Sequence, residues 1–405
     1  MKAYLREFLN STDISACFDE IGPDPAGREL MKNKAGRYSI LVRNVRSHVA
    51  NIMKQEMLAV GGDAAVSRGA VVCSEDNSPV LLMGSIKELK KGAERFKRQY
   101  FGLRDVGIEI EEMLDNILKS PTQIRWKRKR EFALDFKRPL IMGILNVTPD
   151  SFSDGGRFLD LNSALRHAEQ MIDEGADIID IGGESTRPFS DPVSAQEEMQ
   201  RVVPVIKELS GISDVPLSID TSKPEVAEKA LAAGASMVND VFAARREGMA
   251  ELIAESGVPL VIMHMLGEPK TMQENIHYTD VVDDITDFLR ERIEYLERKG
   301  VKREKIILDP GIGFGKTVRN NLEILRRLGE FRSLGLPILI GASRKSFIGA
   351  VTGQNVGERL YGSISAAVLS VLNGANIVRV HDVAETRDAL LVADAVLKTF
   401  NSERK

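Results

Sequence analysis

The chain has 405 residues, 43% of them hydrophobic and 28% charged, with a formal net charge of −4. That composition is ordinary for a globular protein with a sizeable core, and the mild acidity argues against a nucleic-acid binder, which carries a basic excess or a basic face. Two cysteines, Cys17 and Cys73, lie far apart and in no metal-ligand spacing, which argues against a disulfide framework or a zinc site.

The N-terminal stretch MKAYLREFLNSTD has no apolar run long enough for a signal peptide, and no segment of the chain reaches the length of a membrane span. A cytoplasmic setting without membrane contact is the expectation. In the first region, 1–118, Asn44 to Val60 has apolar residues at helical spacing (Val45, Val49, Ile52, Met53, Met57, Val60) and is stopped by Gly61-Gly62-Asp63. Apolar runs follow at Gly69–Cys73 and Val80–Gly84, the latter before a predicted helix from Ile86 to Gln99. The mixture predicts a small α/β domain of unknown function, with the methionine stripe in its core. A segment at 119–138 holds Trp126-Lys127-Arg128-Lys129-Arg130. It reads as a solvated linker or an edge hairpin rather than a nucleic-acid patch.

From Pro139 to about residue 400 short apolar runs alternate with helical patterns eight times. The runs are Leu140–Leu145, Asp177–Ile181, Pro216–Ile219, Met237-Val238, Leu260–Met263, Lys305–Leu308, Ile338–Ile340 and Ile377–Val380. The intervening helices are predicted at about 162–174, 193–209, 224–233, 247–256, 279–299, 319–333, 357–373 and 383–399. Strand-then-helix repetition predicts parallel strands with helical crossovers. Eight units in a stretch near the ~250 residues of a (β/α)8 barrel fit a TIM barrel better than an open doubly wound sheet, which periodicity alone does not exclude.

In such a barrel the active site lies where the strands end. Here nearly every run ends in polar residues: Asn146 after the first, Glu184-Ser185-Thr186-Arg187 after the second, Asp220-Thr221, Asn239-Asp240, His264, Asp309, Ser343-Arg344-Lys345-Ser346, and Arg379-Val380-His381-Asp382. Singly, each has a bland explanation. Asp220 or Asp382 as a helix cap, Asn239 as a left-handed turn and Arg344 as a surface ion-pair partner are such readings. Together they mark a site. Asp220, Asn239 and Asp309 offer donors and acceptors for a flat heterocycle with an amino-amide edge. Arg344, Lys345, Arg379 and His381 gather at the last two strands, the usual phosphate position of the fold, the surface-pair reading fitting Arg344 better than Lys345 or Arg379. Asn146 offers a side-chain oxygen to Mg2+ shared with substrate phosphates. The stretch Pro310-Gly311-Ile312-Gly313-Phe314-Gly315-Lys316-Thr317 imitates a P-loop, but Pro310 stands where that motif needs glycine, so a Gly-rich turn is expected.

Asn146–Phe158 (NVTPDSFSDGGRF), Glu184–Pro188 (ESTRP), Ser218–Pro224 (SIDTSKP), Asp309–Lys316 (DPGIGFGK), Ser343–Ser346 (SRKS) and Arg379–Val383 (RVHDV) resemble the signatures of dihydropteroate synthases, over about 138–400. The resemblance implies a barrel that condenses 6-hydroxymethyl-7,8-dihydropterin diphosphate with 4-aminobenzoate to 7,8-dihydropteroate and pyrophosphate, as a homodimer using Mg2+. It implies Asn146 at Mg2+ and the diphosphate; Asp220, Asn239, Asp309 and Lys345 around the pterin with Met263 beside it; Arg379 and His381 on the departing diphosphate; and Thr186, Arg187 and Ser346 on the aminobenzoate side. A barrel methyltransferase serving a corrinoid protein would share Asp220, Asn239 and Asp309 but has no need of the diphosphate clamp. A catalytically idle pterin sensor would be expected to have lost a phosphate ligand, and none is lost.

Overall fold

From Leu140 onward the alternation of apolar runs and helical patterns becomes eight parallel strands in the computed structural model of the chain. The structure describes residues 14, 15, 17, 18, 21, 22, 24, 28, 31, 33–147, 157–184, 193–268, 271–273 and 275–398, the side chains of 157–160 excepted. These residues group into two compact units, one running to Lys119 and taking in the chain from Leu397, the other Ser120–Val396.

The first unit is β1 (Arg37–Arg46), α1 (Ser47–Ala59), β2 (Asp63–Val66), α2 (Arg68–Val71), β3 (Asn77–Ser85), α3 (Ile86–Phe96) and α4 (Leu103–Leu118). Its strands form an antiparallel sheet in the order β1-β3-β2. The predicted helix from Asn44 starts three residues later, because Val45 pairs with Ser78 in β1 across a register shift and Asn44 takes φ 55° there. The apolar run at Gly69 is helical instead, opened by Ser67, whose Oγ accepts from Ala70 N–H at 3.0 Å. Ser85 and Glu88 form a reciprocal cap on α3, which ends at Phe96 rather than at Gln99. Met53 and Met57 are fully buried with Leu82, Leu89, Phe96, Ile110 and Leu114, so the methionine stripe is core.

The second unit opens with a hairpin, β4 (Gln123–Lys127) and β5 (Glu131–Asp135), and continues as β6 (Leu140–Asn146), α5 (Arg157–Asp173), β7 (Ile178–Gly182), α6 (Ala195–Ile212), β8 (Leu217–Asp220), α7 (Pro224–Ala233), β9 (Met237–Asp240), α8 (Met249–Ser256), β10 (Leu260–Met263), α9 (Val281–Arg298), β11 (Ile306–Asp309), α10 (Val318–Arg326), β12 (Leu339–Ile340), α11 (Ser346–Thr352), α12 (Leu360–Leu372), β13 (Ile377–Val380) and α13 (Val383–Lys398). The strands lie in the order β11-β10-β9-β8-β7-β6-β13-β12. A parallel bridge from Leu308 to Ile338 joins the two ends, and Leu308 N–H donates to Pro337 O at 2.8 Å. The sheet therefore closes into a (β/α)8 barrel, and the open doubly wound alternative falls. Apolar runs without alternation fit strands covered on both faces; β7, β9, β10 and β11 are buried throughout. The helix expected at 319–333 stops at Arg326 and goes on as 3-10 turns over Leu328–Leu334, and α11 is an additional short helix after β12.

Strand register sets the layers inside the barrel. Ile144, Asp180 and Ser218 are neighbours across β6, β7 and β8; two residues on, toward the strand ends, come Asn146, Gly182, Asp220 and, on β9, Asn239. The hairpin with the basic run packs at the opposite end. Arg128 donates to Leu231 O at 3.1 Å, Arg130 pairs with Asp214 and donates to Ser213 O, and Lys305 donates to Arg125 O. Trp126 is buried and stacks on Phe132 with centroids 5.3 Å apart. No helix among the described residues is long and apolar enough to cross a membrane.

Candidate active site

The polar strand ends converge on a network centred on Arg379. It sits on β13 and reaches across the barrel: Nε donates to Asp180 Oδ2 at 2.6 Å and Nη2 to Asp220 Oδ2 at 2.7 Å. Asn239 Nδ2 donates to the same Asp180 oxygen at 2.9 Å. Asp180 and Asn239 are buried, and among the described residues the second carboxylate oxygens of Asp180 and Asp220 have no hydrogen-bond partner. Buried acceptors left open at the mouth of a barrel are suited to a ligand that brings N–H donors.

The electrostatics follow from burying several charges together. Burial lifts Asp220 above the usual carboxylate range; Arg379 pulls it down, and the negative charges of Asp180, Glu198 and Asp240 push it further up. Burial also raises Asp309, although Gly311 N–H donates to its Oδ1 at 2.7 Å. Lys345 is pushed down to about 8, by burial first, with Asp309 opposing and Arg379 assisting. For Arg379 burial works against the charge, but Asp180 and Asp220 outweigh it and the pKa rises. Arg379 is thus a fixed cation, while Lys345 is one whose charge responds to its surroundings.

An apolar wall faces this polar edge. Met263, Met265, Met272, Val241 and Phe314 form one buried cluster. Lys345 Nζ lies 4.0 Å from the centroid of the Phe314 ring. The turn carrying Phe314 depends on its glycines. Gly311 has φ +73°, and a Cβ there would lie 1.9 Å from His264 O, so only glycine fits. Gly313, at φ +84°, passes beneath Lys345, whose Cδ would be 3.1 Å from an added Cβ. This is the Gly-rich turn expected from the failed P-loop pattern.

The remaining predicted residues fall as follows. Asn146 ends β6, and a Cβ added to Gly182 would sit 3.9 Å from Asn146 Oδ1 and 3.7 Å from Asp220 Oδ2, so these oxygens flank the gap glycine leaves. His381 follows β13; its Nδ1 is 3.0 Å from Ser343 Oγ, which also accepts from His381 N–H at 3.3 Å. Ser346 is exposed on the first turn of α11. Thr186 and Arg187 lie outside the described residues, as does most of the first loop motif. Arg344 makes an ion pair with Asp382, with Nε–Oδ2 at 3.2 Å, as the surface-pair reading expects. Asp220 is no helix cap: α7 starts from Lys223 without a side-chain cap.

Not every polar strand end belongs to the mouth. His264 is buried against Phe288, with centroids 4.9 Å apart, and Lys316 Nζ lies 2.9 Å from its Nδ1. Burial, then the charges of Lys316 and Arg245, push His264 down to about 2, which keeps the ring neutral beside Lys316. Asp240 accepts from the N–H groups of Phe242 and Ala244 and shapes the turn after β9. Sequence reasoning missed Asp180, one residue before the end of the second apolar run; its signal was a carboxylate two residues before Gly182, on the same face of the strand. It also missed Lys223, which bridges Glu184 Oε2 at 2.8 Å and Glu198 Oε2 at 2.5 Å in the interior. Glu184 Oε1 in turn accepts from Val193 N–H at 2.7 Å, so this triad holds both described ends of the second loop.

Comparison with known proteins identifies the family. The family of pterin binding enzymes matches residues 142–381. The dihydropteroate synthase of Escherichia coli K12 is 47% identical over 272 residues, 67% of this chain and 96% of that protein. The structure of Xanthomonas albilineans dihydropteroate synthase with 4-aminobenzoic acid is 47% identical, with a TM-score of 0.63 over 65% of this chain and 95% of that one. A probable bifunctional folylpolyglutamate synthase/dihydropteroate synthase of Halobacterium salinarum is 41% identical over 379 residues, 94% of this chain and 45% of that protein. A match over 94% of the chain takes in most of the first unit as well as the barrel. The chain belongs to the pterin-binding enzymes and, within them, to the dihydropteroate synthases.

Proposed function

We propose that the mouth of the barrel binds 6-hydroxymethyl-7,8-dihydropterin diphosphate and 4-aminobenzoate and joins them with release of pyrophosphate. The observation that carries this reading is the Asp180–Arg379–Asp220–Asn239 network, with its open buried acceptors, set beside the Met263–Phe314 wall. A flat ring with ring and amino N–H donors suits the carboxylates of Asp220 and Asp309 and the amide of Asn239, while Met263 and Phe314 cover a face. Lys345 would donate to the ring, and its lowered pKa suits a lysine that works next to a polarisable heterocycle.

The reaction breaks the C–O bond at the pterin methylene and forms a C–N bond to the amine, which then loses a proton. Negative charge grows on the departing diphosphate, and Arg379 and His381 would meet it with charge-assisted hydrogen bonds. Buried carboxylates near the ring would favour the electron-poor pterin left behind. The amine needs no strong base, so positioning and electrostatics carry the rate. Thr186, Arg187 and Ser346 are proposed to shape the aminobenzoate side.

Mg2+ takes oxygen donors and keeps waters and substrate phosphates as ligands. Asn146 Oδ1, beside the gap at Gly182, is a donor of that type, and among the described residues no cluster of His, Cys, Asp and Glu forms a full protein cage. Asn146 would therefore hold Mg2+ together with the diphosphate, where the ion would neutralise charge on the leaving group. Further proposals are a homodimer, supported by exposed apolar side chains on α12 and α13 such as Tyr361, Leu369, Leu391 and Val392, a cytoplasmic setting, and a separate domain at 1–118 joined through 119–138 to the catalytic barrel at 139–400. The test is pyrophosphate release by the purified chain with the pterin diphosphate and Mg2+. Release that requires 4-aminobenzoate supports the reading; pterin binding without amine-dependent release sinks it.

A further inference from the structure

Asp180 touches two parts of the proposed site at once. It is fully buried, and a single carboxylate oxygen accepts from Asn239 Nδ2 at 2.9 Å and from Arg379 Nε at 2.6 Å. Strand register puts it beside Ile144 and Ser218, one layer deeper than Asp220 and Asn239. From there it can orient both partners without occupying the space above them. We propose that Asp180 is a positioning residue for the reaction: it fixes the amide that reads the pterin ring and the guanidinium that takes the diphosphate in one mutual geometry. This rests on the synthase reading above.

Arg379 has a long, rotamer-rich side chain, and holding it in one pose needs more than one fixed contact. It has two, Nε on Asp180 and Nη2 on Asp220. Asp220 is itself a proposed pterin contact, so bound substrate draws on that carboxylate. Asp180 lies one layer deeper and holds Nε through Oδ2, so a ligand that completes its open Oδ1 leaves that anchor in place. With it, the guanidinium fork stays aimed during turnover; without it, the fork swings on Asp220 alone. The same loss would release Asn239 Nδ2, coupling ring recognition to diphosphate recognition through one atom.

The test is Asp180→Asn, which keeps the shape and an acceptor but removes the charge that holds Arg379. Calorimetry would compare the affinity of the chain for dihydropterin diphosphate with that for the same pterin bearing a free hydroxymethyl group. The diphosphate advantage should fall at least tenfold in the variant. KM for the pterin diphosphate should rise while KM for 4-aminobenzoate stays within twofold. In an Arg379→Lys background, Asp180→Asn should change the advantage little further, because the fork it aims is gone. The advantage is a ratio within one protein, so partial loss of folded material cancels. Equal weakening of both pterins, or an unchanged ratio and unchanged KM values, would overturn the proposal and leave Asp180 a structural residue. A wild-type chain that favours the diphosphate ligand yet releases no pyrophosphate with the amine would instead count against the synthase reading, and the ratio would still decide the role of Asp180.

Discussion

The two ends of the same barrel both carry arginines, and they use them in opposite ways. At the base, Arg128 and Arg130 lie on an edge hairpin and spend their N–H groups on backbone carbonyls and the exposed Asp214. At the mouth, Arg379 is locked between two carboxylates of the interior, each with an oxygen left open. The number of charges does not distinguish these regions. What separates them is desolvation combined with incomplete satisfaction, which is expensive for stability and therefore kept where a ligand completes it.

The sharpest way to break this comparison is to remove the cation at the mouth. Cationic side chains that stabilise a phosphate-bearing transition state are worth roughly 10^3 to 10^5 in rate. Arg379→Ala should lower kcat/KM for amine-dependent pyrophosphate release about 10^4-fold, equivalent to about 5.5 kcal/mol. A drop of less than tenfold would mean that the Arg379 network is structural and that the diphosphate is held elsewhere.

Next in size is a change to a buried charge that does not face the reaction. Lys223 bridges two glutamates, and Glu198 is fully buried. Lys223→Met leaves both without a counter-charge, and breaking a buried pair in this way costs about 3 to 5 kcal/mol. The single tryptophan of the chain, Trp126, lies in the hairpin of the barrel unit, so urea unfolding followed by its fluorescence reports on this unit. An unchanged midpoint would show that the triad is more hydrated than its burial indicates.

These cases also show what was legible in the sequence. Eight apolar runs, each followed by helical periodicity, were enough to read the barrel, because fully covered parallel strands have to be apolar throughout. Asp220, Asn239 and Asp309 were readable because they stand at or next to the points where those runs end, and Lys345 and Arg379 because they are basic groups gathered at the last two strands. Asp180 was not: it stands one residue before the end of its run, as Arg379 does, but no second charge beside it marks it, and only the register of β7 against β6 and β8 places it one layer below Asp220. His264 misled in the other direction. It follows β10 like a site residue, but the chain turns there and the ring packs against Phe288 of α9. In the first unit β1 was hidden by its bulge at Asn44, which merges strand and helix into one apparent pattern.

His264 gives a smaller effect with a definite sign. It is held neutral, pushed down to about 2 from an ordinary 6.5. The unfolded chain takes up this proton as pH falls through 6.5, whereas the folded chain resists it until near 2. Stability is therefore fully present above pH 6.5 and is lost on acidification toward 2, by up to about 1.4 kcal/mol per pH unit for one proton. Urea midpoints at pH 7.5 and 5 should fall further apart in the wild type than in His264→Asn. Equal shifts would mean that other groups dominate this window.

The smallest predicted effect carries the other half of the comparison. Arg130→Ala removes a cation from the basic run, its ion pair with Asp214 and its bond to Ser213 O. Asp214 is almost wholly exposed, so water replaces the pair readily, and an exposed pair of this kind contributes about 0.2 to 1 kcal/mol. The lost packing of the guanidinium over Phe132, 5.0 Å from the ring centroid, adds a similar small amount. Stability should drop by about 2 kcal/mol at most, while kcat and both KM values stay within twofold. Strand-end chemistry is local to the mouth, and the base is separated from it by the packed interior layers of the barrel. If Arg130→Ala lowered kcat tenfold with little change in stability, the base would be coupled to the site, and burial would no longer be sufficient to tell the working charges of this barrel from the structural ones.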